Sequence, residues 1–424
     1  AGQIGISATD VTIKEAHQHT LDQDSEETHG HSSKSQREME TSRDEAVGST
    51  FSGKGGVSVV AREGDITLTG STLHSEQGAI ALQAKKDVTL NSATEHESQY
   101  MEERSEKRGS LSKSSSHTVK DDRITREKGS LLSGNSISVS AGNDLTVSGS
   151  AIAADRDVAL QAGNNVDISA ASETESHYLL EEKKKSGLLS SGGIGFTVGS
   201  QSTRHQVDEN GTSQSQSVST VGSSQGNVSI KAGNQLHIGG ADLVAGKDLN
   251  LSGDSVQIDP GYDKRTREET FESKQSGLTL ALSGAVGSAL NTAVSTAQQA
   301  KKEGDSRLSA LQNTKAVLSG VQAAQAQESI NLDNAADSGS GFSISVSAGS
   351  QKSSSIQRQE QAISNGSTLN AGNNLNITAT GKNGGASSGD IAITGSQLKA
   401  GGDTTLDAQR DLKLSAAADT QKTD

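Results

Sequence analysis

Histidine is the side chain of this sequence best placed to do chemistry. His17, His19, His29 and His31 fall in one polar stretch as two His-x-His pairs. In a strand, residues two apart share a face. Each pair would therefore present two imidazoles together, and two pairs side by side would suit zinc or a response to mild acid. The spacing alone is weakly specific, and the surrounding residues are those of an exposed hairpin. The expectation is therefore no metal site, with these four histidines as the only candidates. The Lys183-Lys184-Lys185 run could touch anionic headgroups. It follows Glu181 and Glu182 directly and reads as solvated charge.

Other chemistries are excluded more firmly. There is no cysteine, so thiol catalysis, disulfides and Cys-based metal sites are absent. Gly193-Ile194-Gly195 does not complete a dinucleotide-binding G-x-G-x-x-G, no P-loop occurs, and the tandem calcium nonapeptide is missing. A polysaccharide-cleaving site would need converging carboxylates on one outer face. The outward positions here are Thr67, Thr89, Ser138, Thr146, Asp167, Ser229, Asn250 and Asn376. That face is small and neutral, with one carboxylate. The chain is expected to be no enzyme and to hold no cofactor. A net charge of −14 and a pI near 5.2 argue against a nucleic-acid partner. No apolar run reaches the ~20 residues of a membrane-spanning helix, and no signal peptide opens the chain.

The elements that must carry these residues are short strands. In residues 134–170, apolar residues come in i, i+2 doublets: Ile137/Val139, Leu145/Val147, Val158/Leu160 and Val166/Ile168. Corresponding doublets lie 21 apart (158 − 137 and 166 − 145). A coil of three short faces and three turns uses about that many residues, as a parallel β-helix requires. Only 30% of residues are hydrophobic and 2% aromatic, a composition close to that of disordered chains. The periodicity overrules it, because a narrow coil buries one residue in two.

The doublets recur in modules at about 57–90, 137–168, 228–258 and 369–414. Ala-Gly-Asn corners stand at 141–143, 162–164, 232–234 and 371–373. Polar inserts separate the modules, at about 14–56, 91–136, 169–227 and 259–368. Glu95-His96-Glu97-Ser98-Gln99-Tyr100 and Glu173-Thr174-Glu175-Ser176-His177-Tyr178 open two of them. A charged run, a Ser-Gly and a small-residue strand such as Ile194–Val198 follow. Asp208-Glu209-Asn210-Gly211 then reads as a hairpin turn, and Lys120-Asp121-Asp122 as its counterpart. Within the last insert, residues 285–328 carry aliphatics at helical spacing, with Gly304 as a break, which predicts a short helical hairpin packed on the coil. The first and last residues fall inside repeats, as expected of a segment from a longer protein.

The Ala-Gly-Asn-[DNQ]-[LV]-x-[VI] corners at 141–147, 162–168 and 232–238, with the E-x-E-S-x-[YH] insert starts, resemble the haemagglutinin repeats of two-partner-secreted bacterial surface proteins. The resemblance covers nearly the whole chain. Such repeats occur in filamentous-haemagglutinin adhesins and in CdiA-type effectors of contact-dependent growth inhibition. It implies a right-handed parallel β-helix, an outer-membrane transport partner for export after the periplasm, and display at the bacterial surface. The interrupted modules are most like the second repeat region of the CdiA-type effectors. For that region the resemblance implies engagement of the target-cell outer membrane, or its proteins, to deliver a C-terminal toxin. The alternative is an adhesin filament whose inserts bind host glycan or protein.

Overall fold

The computed structural model describes residues 2–190, 196–282 and 344–424. The chain winds into a parallel β-helix with three strands to a coil. One full coil is Ile137–Ala141, Leu145–Ser148 and Ala151–Ala154, after which Val158–Ala162 begins the next. The three faces form parallel sheets of nine, nine and eight strands. Doublets stack on doublets: Ile137 pairs with Ile80 below and Val158 above, and Leu145 with Val88 and Val166. Their side chains fill the tube and are almost wholly buried. The third face supplies one large aliphatic per coil, such as Leu73, Leu132, Ile152, Val221, Leu243 and Leu369. No helix occurs among the described residues, and the helix expected at 285–328 lies outside them.

The Ala-Gly-Asn corner has a physical cause. Each glycine rides directly over a backbone carbonyl of the coil beneath. A Cβ on Gly142 would sit 1.9 Å from Lys85 O, and one on Gly163 2.1 Å from Gly142 O. The asparagine that follows donates downward: Asn143 Nδ2 to Asp87 Oδ1 at 2.8 Å, and Asn164 Nδ2 to Asp144 Oδ1 at 2.8 Å. Backbone N–H groups of Asp144 and Asn165 complete the same acceptors. The corner carbonyls and amides of successive coils are thereby satisfied away from any helix or hairpin. The copy at 371–373 does not occupy the same corner. It joins the third face to the first, where Asn373 Nδ2 donates to Asp248 Oδ1 at 2.7 Å. The motif marks direct stacking on a carbonyl, whichever corner that is.

Between the second and third faces, every second coil sends out a long antiparallel hairpin. The first arm is Ala16–His29 with Ser33–Val47, and the second is Ala93–Arg108 with Ser112–Lys128. The third is Glu173–Ser190 with Phe196–Ser213, and the fourth is Gly261–Leu282 with Ile344–Asn365. Two sequence expectations fail here. Asp208–Gly211 and Lys120–Asp122 are not turns. Both lie within strands, paired on both sides. Their polarity reflects a strand with both faces open to water, a composition that imitates a turn. In addition, the final strand of arm-bearing coils, such as Leu131–Gly134 or Ser219–Ser223, lies within the segments read as insert. With one inward aliphatic apiece, those strands carry no doublet to reveal them.

The arms also do not stand alone. They join into one nine-stranded antiparallel sheet, completed by Thr420–Thr423 beside the fourth arm. The reason is commensurate spacing. Strands hydrogen-bond at about 4.8 Å, whether parallel or antiparallel. Two coils therefore rise about 9.6 Å, which is the width of one two-stranded hairpin. One arm per two coils brings adjacent arms to hydrogen-bonding distance without gap or overlap.

The arm-free coils show how the junction closes without an arm. Thr69-Gly70-Ser71-Thr72 and Ser148-Gly149-Ser150-Ala151 cross from second to third face through a glycine at φ +54° and φ +55°. A Cβ on Gly70 would meet Ala93 Cβ at 2.6 Å, and one on Gly149 would meet Ala171 Cβ at 2.6 Å. Both alanines lie at the root of the arm above. Three of the four arms end on the same Gly-Ser pair, at Gly48-Ser49, Gly129-Ser130 and Gly366-Ser367, and the third on Val218-Ser219. The serines form a buried ladder: Ser71 N donates to Ser130 Oγ, Ser130 N to Ser150 Oγ, and Ser150 N to Ser219 Oγ. Each hydroxyl in turn donates to the last carbonyls of the second face, as Ser130 does to Asn91 O at 2.7 Å.

Candidate functional site: the arm sheet

The arm sheet is the largest feature that the coil does not need for its own closure. Its strands are long and polar because neither face packs on a core. Sparse aliphatics, such as Val207, are buried only locally. What holds the arms together, beyond backbone pairing, is charge across the strands. His177 Nδ1 of the third arm lies 3.0 Å from Asp122 Oδ1 of the second. His205 Nε2 lies 2.7 Å from Glu269 Oε1 of the fourth arm. His117 sits between Glu102 at 2.7 Å and Glu182 at 3.8 Å. Arg265 and Arg267 of the fourth arm close on Glu209 of the third. Single exposed pairs of this kind contribute little. Placed directly opposite, as His177–Asp122, His117–Glu182 and Glu209–Arg267 are, or one diagonal step away, as His205–Glu269 is, they select which strands pair.

Two carboxylates anchor the arms. Burial pushes the Glu102 carboxyl up, but hydrogen bonds from His117, Tyr100 and Arg104 outweigh it and hold it below the usual range. Asp263, at the root of the fourth arm, is likewise pushed up by burial. It is held lower by hydrogen bonds from Ser215, Gln214 and Ser213. Those contacts tie the fourth arm to the exit of the third, with Gln214 N to Asp263 Oδ1 at 2.7 Å.

The four candidate histidines are not brought together. His17, His19 and His29 lie on the outer strand of the first arm, and His31 in its turn. By parity His17, His19 and His29 do share a face. The strand nevertheless holds His19 and His29 about 33 Å apart, ten residues at roughly 3.3 Å each. His17 is engaged by Asp44 at 3.1 Å and Glu15 at 3.4 Å. Among the described residues no group of three or more His, Asp or Glu could hold a metal ion.

On the coil, the outward row of the second face runs Thr67, Thr89, Thr146, Asp167, His237. Asp167, the lone carboxylate of the sequence reading, faces a histidine that the reading missed. His237 Nδ1 lies 2.8 Å from Asp167 Oδ1, and Nε2 lies 3.5 Å from Asp259 Oδ2. The sequence signal was available only with the register, since the two residues are 70 apart. The Asp167 hydrogen bond raises the His237 pKa against partial burial, helped by the charges of Asp167 and Asp259. A raised histidine stabilises the fold fully below its unfolded pKa of about 6.5, and that contribution disappears as pH rises through the elevated folded value. His237→Gln is therefore expected to destabilise the chain by on the order of 1 kcal/mol at pH 6. The variant should differ little from the parent at pH 9. Urea melts of both proteins at the two pH values measure the difference.

Comparison with known proteins places this architecture. The hemagglutinin-repeat family matches residues 29–113, 108–251 and 347–424. A protein of Escherichia coli named tRNA nuclease CdiA is 54% identical over 324 residues, which is 76% of this chain and 10% of that protein. The 16S rRNA endonuclease CdiA of Enterobacter cloacae is 54% identical over 327 residues, 77% of this chain and 10% of the relative. The deoxyribonuclease CdiA of Yersinia pseudotuberculosis is 52% identical over 298 residues, 69% of this chain and 27% of the relative. The chain thus spans about a tenth of the length of the first two relatives. No solved structure matches it.

Proposed function

The chain belongs to the haemagglutinin-repeat family, and on that premise we propose that it is a non-enzymatic delivery segment of a contact-dependent growth inhibition effector. One observation carries the reading. Three relatives named for three different nuclease activities share this segment at 52–54% identity. The activity varies while the segment does not, so the segment does a job common to all of them. The coil is a stiff surface filament, exported through an outer-membrane transport partner. The arm sheet engages the target-cell outer membrane or its proteins, so that a toxin elsewhere in the protein can cross. The charge network of the arms supports this: it fixes a broad polar surface that the coil itself does not require.

The arm-free corners supply the test. In the full-length effector, excising 15–47, 92–128 and 260–365 joins Lys14, Asn91 and Asp259 to a Gly-Ser pair, the connection that Thr69 uses. Removing 170–217 with Val218→Gly treats the third arm alike. The expected result is normal display on the producing cell, with inhibition of neighbouring bacteria falling more than a hundredfold, at least about 2.7 kcal/mol in the equivalent ratio. Inhibition at the parental level overturns the proposal. Loss of binding to eukaryotic cells alone, with bacterial inhibition intact, establishes the adhesin alternative instead.

A further inference from the structure

The outer parts of the third and fourth arms break a rule that the adjacent part of the sheet keeps. Along one row, directly opposed residues alternate in sign: Glu182, Arg204, Glu272, with the His117 imidazole opposite Glu182 at the other end. Two residues nearer the tip, on the same face, the row reads Ser115, Lys184, Ser202, Lys274, Lys352. Lys274 and Lys352 are directly opposite each other, an arrangement that is destabilising by itself. Lys184, Lys274 and Lys352 have no carboxylate partner among the described residues. Cations closer to the first and second arms do, as with Lys34–Glu27 at 2.7 Å and Lys113–Glu106 at 2.8 Å. In a chain of net charge −14, unopposed lysines in register leave positive charge free to meet an external anion.

The next row outward is hydroxyl: Ser186, Ser200, Ser276 and Ser350 stand in register, and Ser200 and Ser276 share a hydrogen bond at 2.7 Å. Together the two rows line a shallow groove of about 670 Å³. Ammonium groups around a floor of hydroxyls match phosphate oxygens. No aromatic side chain lines the groove, which disfavours single-stranded nucleic acid, since bases need a stacking surface. Beyond the serines comes a row of glycines, Gly187, Gly199, Gly277 and Gly349. Past it, backbone pairing continues through sequence that is aliphatic at every second position, with Leu280 opposite Val346 and Leu282 opposite Ile344. A cationic band next to aliphatic strand sequence suits a lipid surface better than a soluble polyanion.

The geometry points to a phosphate-binding band, Lys184, Lys274 and Lys352 over the serine row, that lays this part of the third and fourth arms against the headgroups of an anionic lipid surface. This deepens the delivery reading and rests on it. The test is flotation of the intact chain with vesicles of phosphatidylcholine, alone or mixed with phosphatidylglycerol. Binding is expected only to the mixed vesicles and should fall steeply with salt. At about fivefold per lysine near the surface, the triple variant Lys184→Gln, Lys274→Gln, Lys352→Gln should bind on the order of a hundredfold more weakly. A coil variant, Lys85→Gln with Lys231→Gln, should bind like the parent. Equal flotation with both vesicles, or parental binding by the triple variant, overturns the inference. So does capture of inorganic polyphosphate without vesicle binding. The two readings fail separately: an effector lacking its arms that still inhibits neighbours removes delivery, while vesicle binding of the intact chain decides the lysine band.

Discussion

Deleting residues 137–157, one arm-free coil, should lower the melting temperature by more than about 10 °C, whereas deleting the larger span 137–227 should lower it by less than about 5 °C. The short deletion joins Ser136 to Val158 and keeps the tube in phase, since Ile137 and Val158 are register partners. It places the second and third arms on consecutive coils. Arms about 9.6 Å wide would then start about 4.8 Å apart, so their strands cannot both occupy the sheet. One arm must leave it, and its long backbone edges lose their partners. The long deletion joins Ser136 to Val228 and removes two coils with one arm. The remaining arms stay commensurate, and the second meets the fourth at ordinary strand spacing. Thermal melts with limited proteolysis of the arms decide between the two. If both deletions behave alike, the arms are not held by the rise of the coil.

The second large effect belongs to Gly149. An alanine there must adopt φ +55°, and its Cβ would sit 2.6 Å from Ala171 Cβ and 3.0 Å from Ser92 Oγ. The left-handed conformation costs about 1–2 kcal/mol. Overpacking adds about 1–3 kcal/mol, because the obstructing atom is an alanine methyl on a fixed backbone. Gly149→Ala should therefore cost about 3 kcal/mol. Two other glycines separate these contributions. Gly384 has φ +69° with nothing within 4 Å of its would-be Cβ, and Gly385 has open space without the positive φ. Gly384→Ala should cost about 1 kcal/mol, and Gly385→Ala should stay within about 0.5 kcal/mol of the parent. Denaturant midpoints for the three variants test the ordering. A Gly149 variant no worse than the Gly384 variant would refute the close packing of arm root on arm-free corner.

Not every part of this structure was equally readable from the chain. The tube was readable because its signal is local and repeated: Ile137 and Val139 declare a strand, Gly142 and Asn143 a corner, and 21 residues later the same types return. The third face was half hidden, because Leu132 or Val221 alone has no aliphatic partner two residues away. The arms misled more. Asp208–Gly211 has the residues of a turn, but in a sheet wet on both faces polar residues do not mark a chain reversal. His17 and His19 do share a strand face, His31 falls in the turn, and the length of the strand keeps the two pairs apart.

From its own residues the chain determines the coil, the corners and the positions where segments leave it, since each depends on neighbours a few places away and on stacking of like on like. Only the folded molecule decides that those segments zip into one sheet, and hence that Lys274 faces Lys352 or that His237 meets Asp167. Those contacts follow from the equality between two coil rises and one hairpin width, a property of distances in space that no spacing along the sequence expresses.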